Sequence, residues 1–294
     1  RFVIACTARR SHPRRSRSRA HVGAPPSLIA SHMPPTTVDP LLVEAIHRAD
    51  TDIRPSVLET PVVEWPQYSE AVGGPVWVKS EHLQRTGSFK LRGATNAVRR
   101  AIPRGLTIAT ASSGNHGIAV SHALRAAGKD GVVFLPETVA PAKLDAVRRS
   151  GVRVVLFGLD SNDTEQEAQR ASAEHGWHYL SPYNDPDVIA GQGTIGLELL
   201  RQMPRIDVVY VSVGGGGLIS GVAAALKAAR PGIHVVGCSA ANSCVMHESV
   251  RAGHILNLES LPTLSDGTAG GVDADTITFK YCRDLVDEWL LVSE

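Results

Sequence analysis

From Pro40 onward the chain alternates short apolar runs with longer stretches whose apolar residues recur every three to four positions. A short apolar run bounded by turn residues reads as a buried strand, and the helical period reads as an amphipathic helix. On that basis strands are predicted at 76–78, 106–110, 131–135, 153–157, 208–211 and 233–238. Helices are predicted at 41–49, 88–100, 115–127, 141–149, 162–175, 187–202, 217–229 and 276–287. Strand and helix in regular succession, with short connections, is the pattern of an α/β fold on a mostly parallel sheet. No self-similarity appears at periods of roughly 20 to 50 residues, which sets aside solenoids and propellers.

Residues 1–38 break this rhythm. They hold seven arginines and no acidic residue, are rich in Ser and Pro, and read as a disordered leader. Three origins fit that composition: an organellar transit peptide, translated sequence upstream of a true start at Met33, or a cloning scar at Ser31-His32-Met33. The expected location is cytoplasmic, with an organelle as the alternative under the first origin. Removing the leader leaves 23 basic against 29 acidic residues, so the folded part is acidic and a nucleic-acid partner is not expected.

At 294 residues and 43% hydrophobic content the chain can bury the core of one large domain or two modest ones. No apolar run approaches the roughly 18 residues of a membrane-spanning helix, so no membrane partner is expected. The four cysteines, Cys6, Cys238, Cys244 and Cys282, form no CxxC pair and read as free thiols in a reducing compartment. No metal site is assigned.

The chemistry concentrates in three stretches. The first is Ser88-Phe89-Lys90-Leu91-Arg92-Gly93-Ala94, where Lys90 stands between a predicted strand and the start of a predicted helix. Burial there disfavours the ammonium, and a neutral amine can form a Schiff base with a carbonyl cofactor. A lysine whose stem packs while its head reaches water would look the same. With only six lysines, Lys79, Lys90, Lys129, Lys143, Lys227 and Lys280, few candidates exist for such a bond. Arg92 reads as an ion-pair or helix-surface residue.

The second stretch is Ser112-Ser113-Gly114-Asn115-His116-Gly117, between strand and helix. Its backbone N–H groups can hold a carboxylate, or it is a Ser/Gly turn with Asn115 capping the helix. The side chain of His116 reads as a cap or a surface group. The third is Gly214-Gly215-Gly216-Gly217-Leu218, again between strand and helix. Glycines let the backbone close on an anion at a helix N-terminus, a phosphate cradle. The dinucleotide fingerprint GxGxxG fails, because Ile219 or Ser220 stands where its last glycine belongs.

In this order and spacing the three motifs resemble those of the fold-type II pyridoxal-phosphate (PLP) enzymes, in the serine/threonine dehydratase and serine racemase branch. Thr60-Pro61, residues 81–87, residues 188–194 and Asp284-Leu285-Val286-Asp287 share in the likeness, which covers about Leu41 to Glu294. The resemblance implies a tryptophan synthase β-like fold: two parallel-sheet α/β domains with the cofactor in the cleft. The small domain would be 107–184, inserted in a large one of 39–106 plus 185–294. The large domain would be C-terminally incomplete, since relatives continue past Glu294 to the residue facing the pyridine nitrogen.

Further implications concern roles. Lys90 would carry PLP and act as general base. Gly214, Gly215, Gly216, Gly217 and Leu218 would hold its phosphate, and Asn115 would donate to its phenolic oxygen. Ser112, Ser113, Gly114, Asn115 and His116 would bind the substrate, and Ser113 matches the second acid/base group of the racemases. Tyr183 matches an aromatic position of the dehydratases. Ser239 and Val245 stand where racemases carry carboxylates for a divalent cation. The activity implied is β-elimination of a 3-hydroxy-amino acid such as L-threonine or L-serine to a 2-keto acid and ammonia, by a homodimer or homotetramer. The alternatives are a racemase using Lys90 and Ser113, or an inactive PLP-binding fragment.

Overall fold

The computed structural model describes residues 4–7, 38–159 and 161–294. The first elements are β1 (Ile4–Thr7), α1 (Pro40–Ile53), β2 (Val62–Glu64), α2 (Pro66–Val72), β3 (Val76–Lys79) and α3 (Lys90–Ala101). A second group follows: β4 (Ile108–Ala111), α4 (Asn115–Ala126), β5 (Gly131–Leu135), α5 (Pro141–Arg148), β6 (Arg153–Leu156), α6 (Ser161–His175) and β7 (His178–Tyr179). The chain then forms α7 (Pro186–Gln202), β8 (Val208–Ser212), α8 (Gly217–Ala229), β9 (His234–Ala240), α9 (Val245–Ala252), α10 (Thr278–Leu285) and β10 (Glu288–Val292).

Local chemistry sets several of these boundaries. Asp39 accepts from Leu41 N at 3.0 Å ahead of Pro40. Asp185 accepts from the amides of Asp187 and Val188 at 2.8 and 2.9 Å ahead of Pro186. In both places an acidic N-cap satisfies amides that the helix leaves open, and proline takes the first helical position.

Two sheets result. One has the order β6-β5-β4-β7 with every pair parallel, and it is built wholly from the second group of elements. The other has the order β10-β9-β8-β1-β3-β2, parallel from β10 to β8 and antiparallel from there on. The α/β class expected from the alternating pattern is the class found. The expectation of an unstructured leader fails at Ile4–Thr7, which lies antiparallel between β3 and β8, with Ala5 opposite both Val78 and Tyr210. That run supplies the hydrogen-bonding partner between two strands that would otherwise present open edges. Residues 1–3 and 8–37, to which the transit-peptide, start-site and cloning-scar readings apply, lie outside the described residues.

The larger core packs α1, α7, α8 and α10 on the big sheet through residues such as Ile46, Ile195, Val222 and Leu285. A second core joins α3 to α4 and β4 through Leu91, Val98, Val120 and Ile108. Helices α3 and α7 touch backbone to backbone. A Cβ at Gly191 would stand 2.6 Å from Gly93 Cα, and one at Gly93 would stand 2.8 Å from Val188 O, so both positions require glycine. That crossing seats the first turn of α3, and with it Lys90.

Candidate active site

Lys90 opens α3. Its Nζ donates to Pro182 O at 2.9 Å, and the Phe89 ring centroid lies 5.5 Å away. Among the described residues no carboxylate pairs with it. Burial of the amine pulls its pKa down to about 8, because the charged form has lost hydration and no opposite charge beside it offsets that loss. Lys79 is buried as well, but in a different setting: its Nζ is bonded to Glu198, to Thr60 O at 2.7 Å and to Gln202 at 2.9 Å.

Glu198 and Glu81 both grip Arg92. The guanidinium donates to Glu81 at 2.8 and 2.9 Å and to Glu198 at 2.6 and 2.8 Å. It also reaches Thr194 Oγ1 at 3.2 Å and Leu58 O at 3.1 Å. Arg92 is fully buried, so it forms an ion pair and is no surface residue. A four-charge cluster of this kind fixes α3 against α7 and the 58–60 segment two residues beyond Lys90.

The glycine run leaves β8 and enters α8 with Gly216 at φ 84°, the left-handed region that glycine tolerates. Among the described residues the amides of Gly214 through Leu218 have no hydrogen-bond acceptor. Close packing explains why the run is glycine. A Cβ at Gly214 would stand 2.5 Å from Thr268 O, and one at Gly215 would stand 2.3 Å from the Tyr183 ring. One at Gly216 would stand 2.7 Å from Cys282 Sγ. Thr278 Oγ1 donates to Gly215 O at 2.7 Å. Thr268, Thr278 and Cys282 therefore brace the loop, and sequence reasoning missed them because each comes from a segment more than 50 residues away with no motif of its own.

In the serine loop, Gly114 occupies the N-cap of α4 and Asn115 the first helical position, so Asn115 does not cap the helix. The side chains of Ser113 and Asn115 are half-buried and have no hydrogen bond among the described residues. Gly117 allows the loop to fold back, since a Cβ there would overlap Ser112 O. His116 departs from the cap-or-surface expectation. Its ring is buried, Nε2 lies 3.1 Å from Leu180 O, and Nδ1 has no partner. Burial, with the nearby Lys90 charge, holds it neutral with a pKa of about 3.

Residues 180–184 are the common neighbour of all three motifs. Leu180 O meets His116, Pro182 O meets Lys90, and Tyr183 lies on Gly215 and Gly217. Tyr183 Oη in turn accepts from Asp273 N at 2.9 Å. A cavity of about 380 Å³ opens beside the same segment, lined by Ser181, Asn184, Tyr179 and Asp273. Among the described residues the buried hydroxyls of Ser88, in the lysine motif, and of Ser212, at the end of β8 ahead of the glycine run, also have no partner. A desolvated amine, a fan of open amides and unpaired hydroxyls converging on one place suit a ligand carrying both a carbonyl and a phosphate. The residues present fit PLP.

Residues 53–294 match the pyridoxal-phosphate dependent enzyme family. The chain belongs to this family. The L-threonine ammonia-lyase of Geobacter sulfurreducens is 40% identical over 256 residues, covering 85% of this chain and 62% of that protein. The processed form of threonine deaminase isoform 2 from Solanum lycopersicum superposes with a TM-score of 0.81 at 33% identity, over 88% of this chain and 76% of that one. Maize serine racemase gives a TM-score of 0.80 at 33% identity, over 85% and 76%. The recognised resemblance, the fold class and the cofactor are those of this family of PLP enzymes.

The carboxylates that the resemblance would place at 239 and 245 are absent. Ser239 is buried and donates to Val213 O at 3.2 Å, and Val245 is a buried apolar residue. Among the described residues no helix is long and apolar enough to cross a membrane.

Proposed function

We propose that the protein is a PLP-dependent ammonia-lyase that eliminates water from L-threonine, L-serine or a related 3-hydroxy-amino acid and releases a 2-keto acid and ammonia. The observation that carries this reading is the Lys90 amine, desolvated, paired with no carboxylate among the described residues and bonded to Pro182 O at 2.9 Å next to Tyr183, which packs on the glycine loop. Threonine ammonia-lyase as the name of a 40% identical relative supports it. The cleft between a small domain, 107–184, and a large one, 39–106 plus 185–294, is where we place the site.

When bound, PLP supplies a carbonyl for the lysine amine and an electron sink that eases removal of the substrate Cα proton. The amides of Gly214 to Leu218 would hold its phosphate, with the N-terminal end of α8 behind them. Asn115, half-buried with a free side-chain amide among the described residues, would donate to its phenolic oxygen. The backbone of Ser112, Ser113, Gly114, Asn115 and His116 takes the substrate carboxylate and fixes the Cα–H bond toward Lys90. With a pKa of about 8, Lys90 is present in part as the free amine near neutral pH and takes that proton as general base. The β-hydroxyl departs with a proton as water, and the released enamine takes up water to give the keto acid and ammonia. Ser113 is assigned the second proton-transfer position, the one a racemising side reaction would use.

The test is keto-acid release from threonine, serine, 3-hydroxyaspartate and phenylserine by the PLP-loaded protein and its Lys90→Ala variant. The reading requires release from at least one of them and a loss of about 1,000-fold or more in the variant. Release from none, or equal rates in the two proteins, would overturn it.

A further inference from the structure

At the carboxyl end of β9 the chain turns through 241–244 and enters α9, whose first turn gathers three metal-ligating side chains away from Lys90. Cys244 Sγ, a ring nitrogen of His247 and a carboxylate oxygen of Glu248 all lie within 4.8 Å of one another, each residue half-buried. The spacing of N-cap, third and fourth helical positions puts them on one side of that turn.

His247 Nδ1 is buried and makes no hydrogen bond. Glu248 Oε1 nevertheless stands only 3.0 Å from it. The two form an ion pair when the imidazole is protonated, and a divalent cation that displaces that proton would take both atoms as ligands. The second carboxylate oxygen, Glu248 Oε2, is held by Arg251 at 2.7 Å, which leaves Oε1 turned toward the imidazole. The Trp289 ring, 5.6 Å from the His247 ring between centroids, restricts the imidazole plane. Cys244 Sγ lies 3.5 Å from Ala241 O, so the thiol is also placed.

Sulfur, imidazole nitrogen and one carboxylate oxygen suit a borderline-soft ion of the zinc class better than Mg²⁺ or Ca²⁺, which prefer oxygen alone. Bonds of about 2.0 to 2.3 Å put tetrahedral ligand atoms roughly 3.3 to 3.8 Å apart. The present separation of up to 4.8 Å would have to close by about 1 Å to reach that range. A fourth position stays open to water.

We propose that Cys244, His247 and Glu248 form a binding site for a zinc-class divalent cation. Its occupancy would bear on the glycine loop through the same turn. Ser243 Oγ accepts from Gly270 N at 3.1 Å, and Thr268 in that segment packs on Gly214. The spacing Cys244-Val245-Met246-His247-Glu248 stands in the sequence, and the free-thiol reading passed over it.

The test is titration of the metal-stripped protein with Co²⁺, read by thiolate-to-cobalt charge-transfer absorption in the near ultraviolet and by displacement with Zn²⁺. One equivalent should bind with that absorption. Cys244→Ser should remove the band, Cys238→Ser should keep it, and His247→Ala and Glu248→Gln should each weaken binding about tenfold or more. Absence of the band in the parent protein, its survival in Cys244→Ser, or unchanged affinity in His247→Ala would overturn the proposal. The parent titration alone can fail it, so a poorly folded variant leaves no refuge.

Discussion

Lys90 and Arg92 sit two residues apart on one helix turn, and their surroundings give them opposite fates. Lys90 has lost water and gained no counter-charge, so its pKa falls to about 8 from an ordinary 10.5. Between those two values the unfolded chain binds the extra proton and the folded chain does not. Stability of the cofactor-free protein should therefore rise as pH climbs from about 8 toward 10.5, an increment that Lys90→Met lacks. Chemical denaturation across that range checks the sign, and parallel profiles for the two proteins would contradict it. Arg92, by contrast, is held by Glu81 and Glu198 through four hydrogen bonds of 2.6 to 2.9 Å. Arg92→Met leaves both carboxylates buried without it and should cost about 3–5 kcal/mol by equilibrium denaturation. Arg92→Lys recovers only part, because an ammonium cannot span two carboxylates in a planar fork. Lys90 was legible as a candidate from its motif. The Arg92 partners were not, since Glu81 and Glu198 are brought to it by folding.

At the scale of elements, the glycine loop works because its neighbours are built to touch it. Gly215→Ala would push a methyl to 2.3 Å from the Tyr183 ring, displacing a residue whose hydroxyl is bonded to Asp273 N. We expect a loss of about 1–3 kcal/mol in denaturation. PLP affinity, followed by absorption, should drop about tenfold or more, since the phosphate amides move with the loop. An affinity unchanged from the parent would show that the run only connects β8 to α8. Helices α3, α4 and α8 fall at Lys90–Ala101, Asn115–Ala126 and Gly217–Ala229, within a residue or two of their expected spans. A strong apolar period and sharp glycine punctuation made them readable. The misses are β2, α2, β7, α9 and β10, of three, seven, two, eight and five residues. Elements that short carry too few positions for a period to show, and α2 buries no residue at all. The strand at Ile4–Thr7 hides among arginines and is defined only by what it pairs with.

For the whole molecule, the motifs announced a cofactor and an elimination, while the gathering of those motifs around residues 180–184 was invisible along the chain. Only Tyr183 in that segment attracted notice, and Leu180 and Pro182 act through backbone carbonyls that any residue could supply. Acidic overall charge outside residues 1–38 and an enclosed amine agree with a small zwitterionic substrate. The central claim is that Lys90 holds PLP for this reaction. It is tested most directly by loading the protein with PLP, reducing it with borohydride and mapping the pyridoxyl mass by peptide analysis. The account predicts the label on the peptide containing Lys90, with labelling suppressed when L-threonine or L-serine is added before reduction. A label on Lys79 or any other lysine, or one that no substrate suppresses, would contradict it.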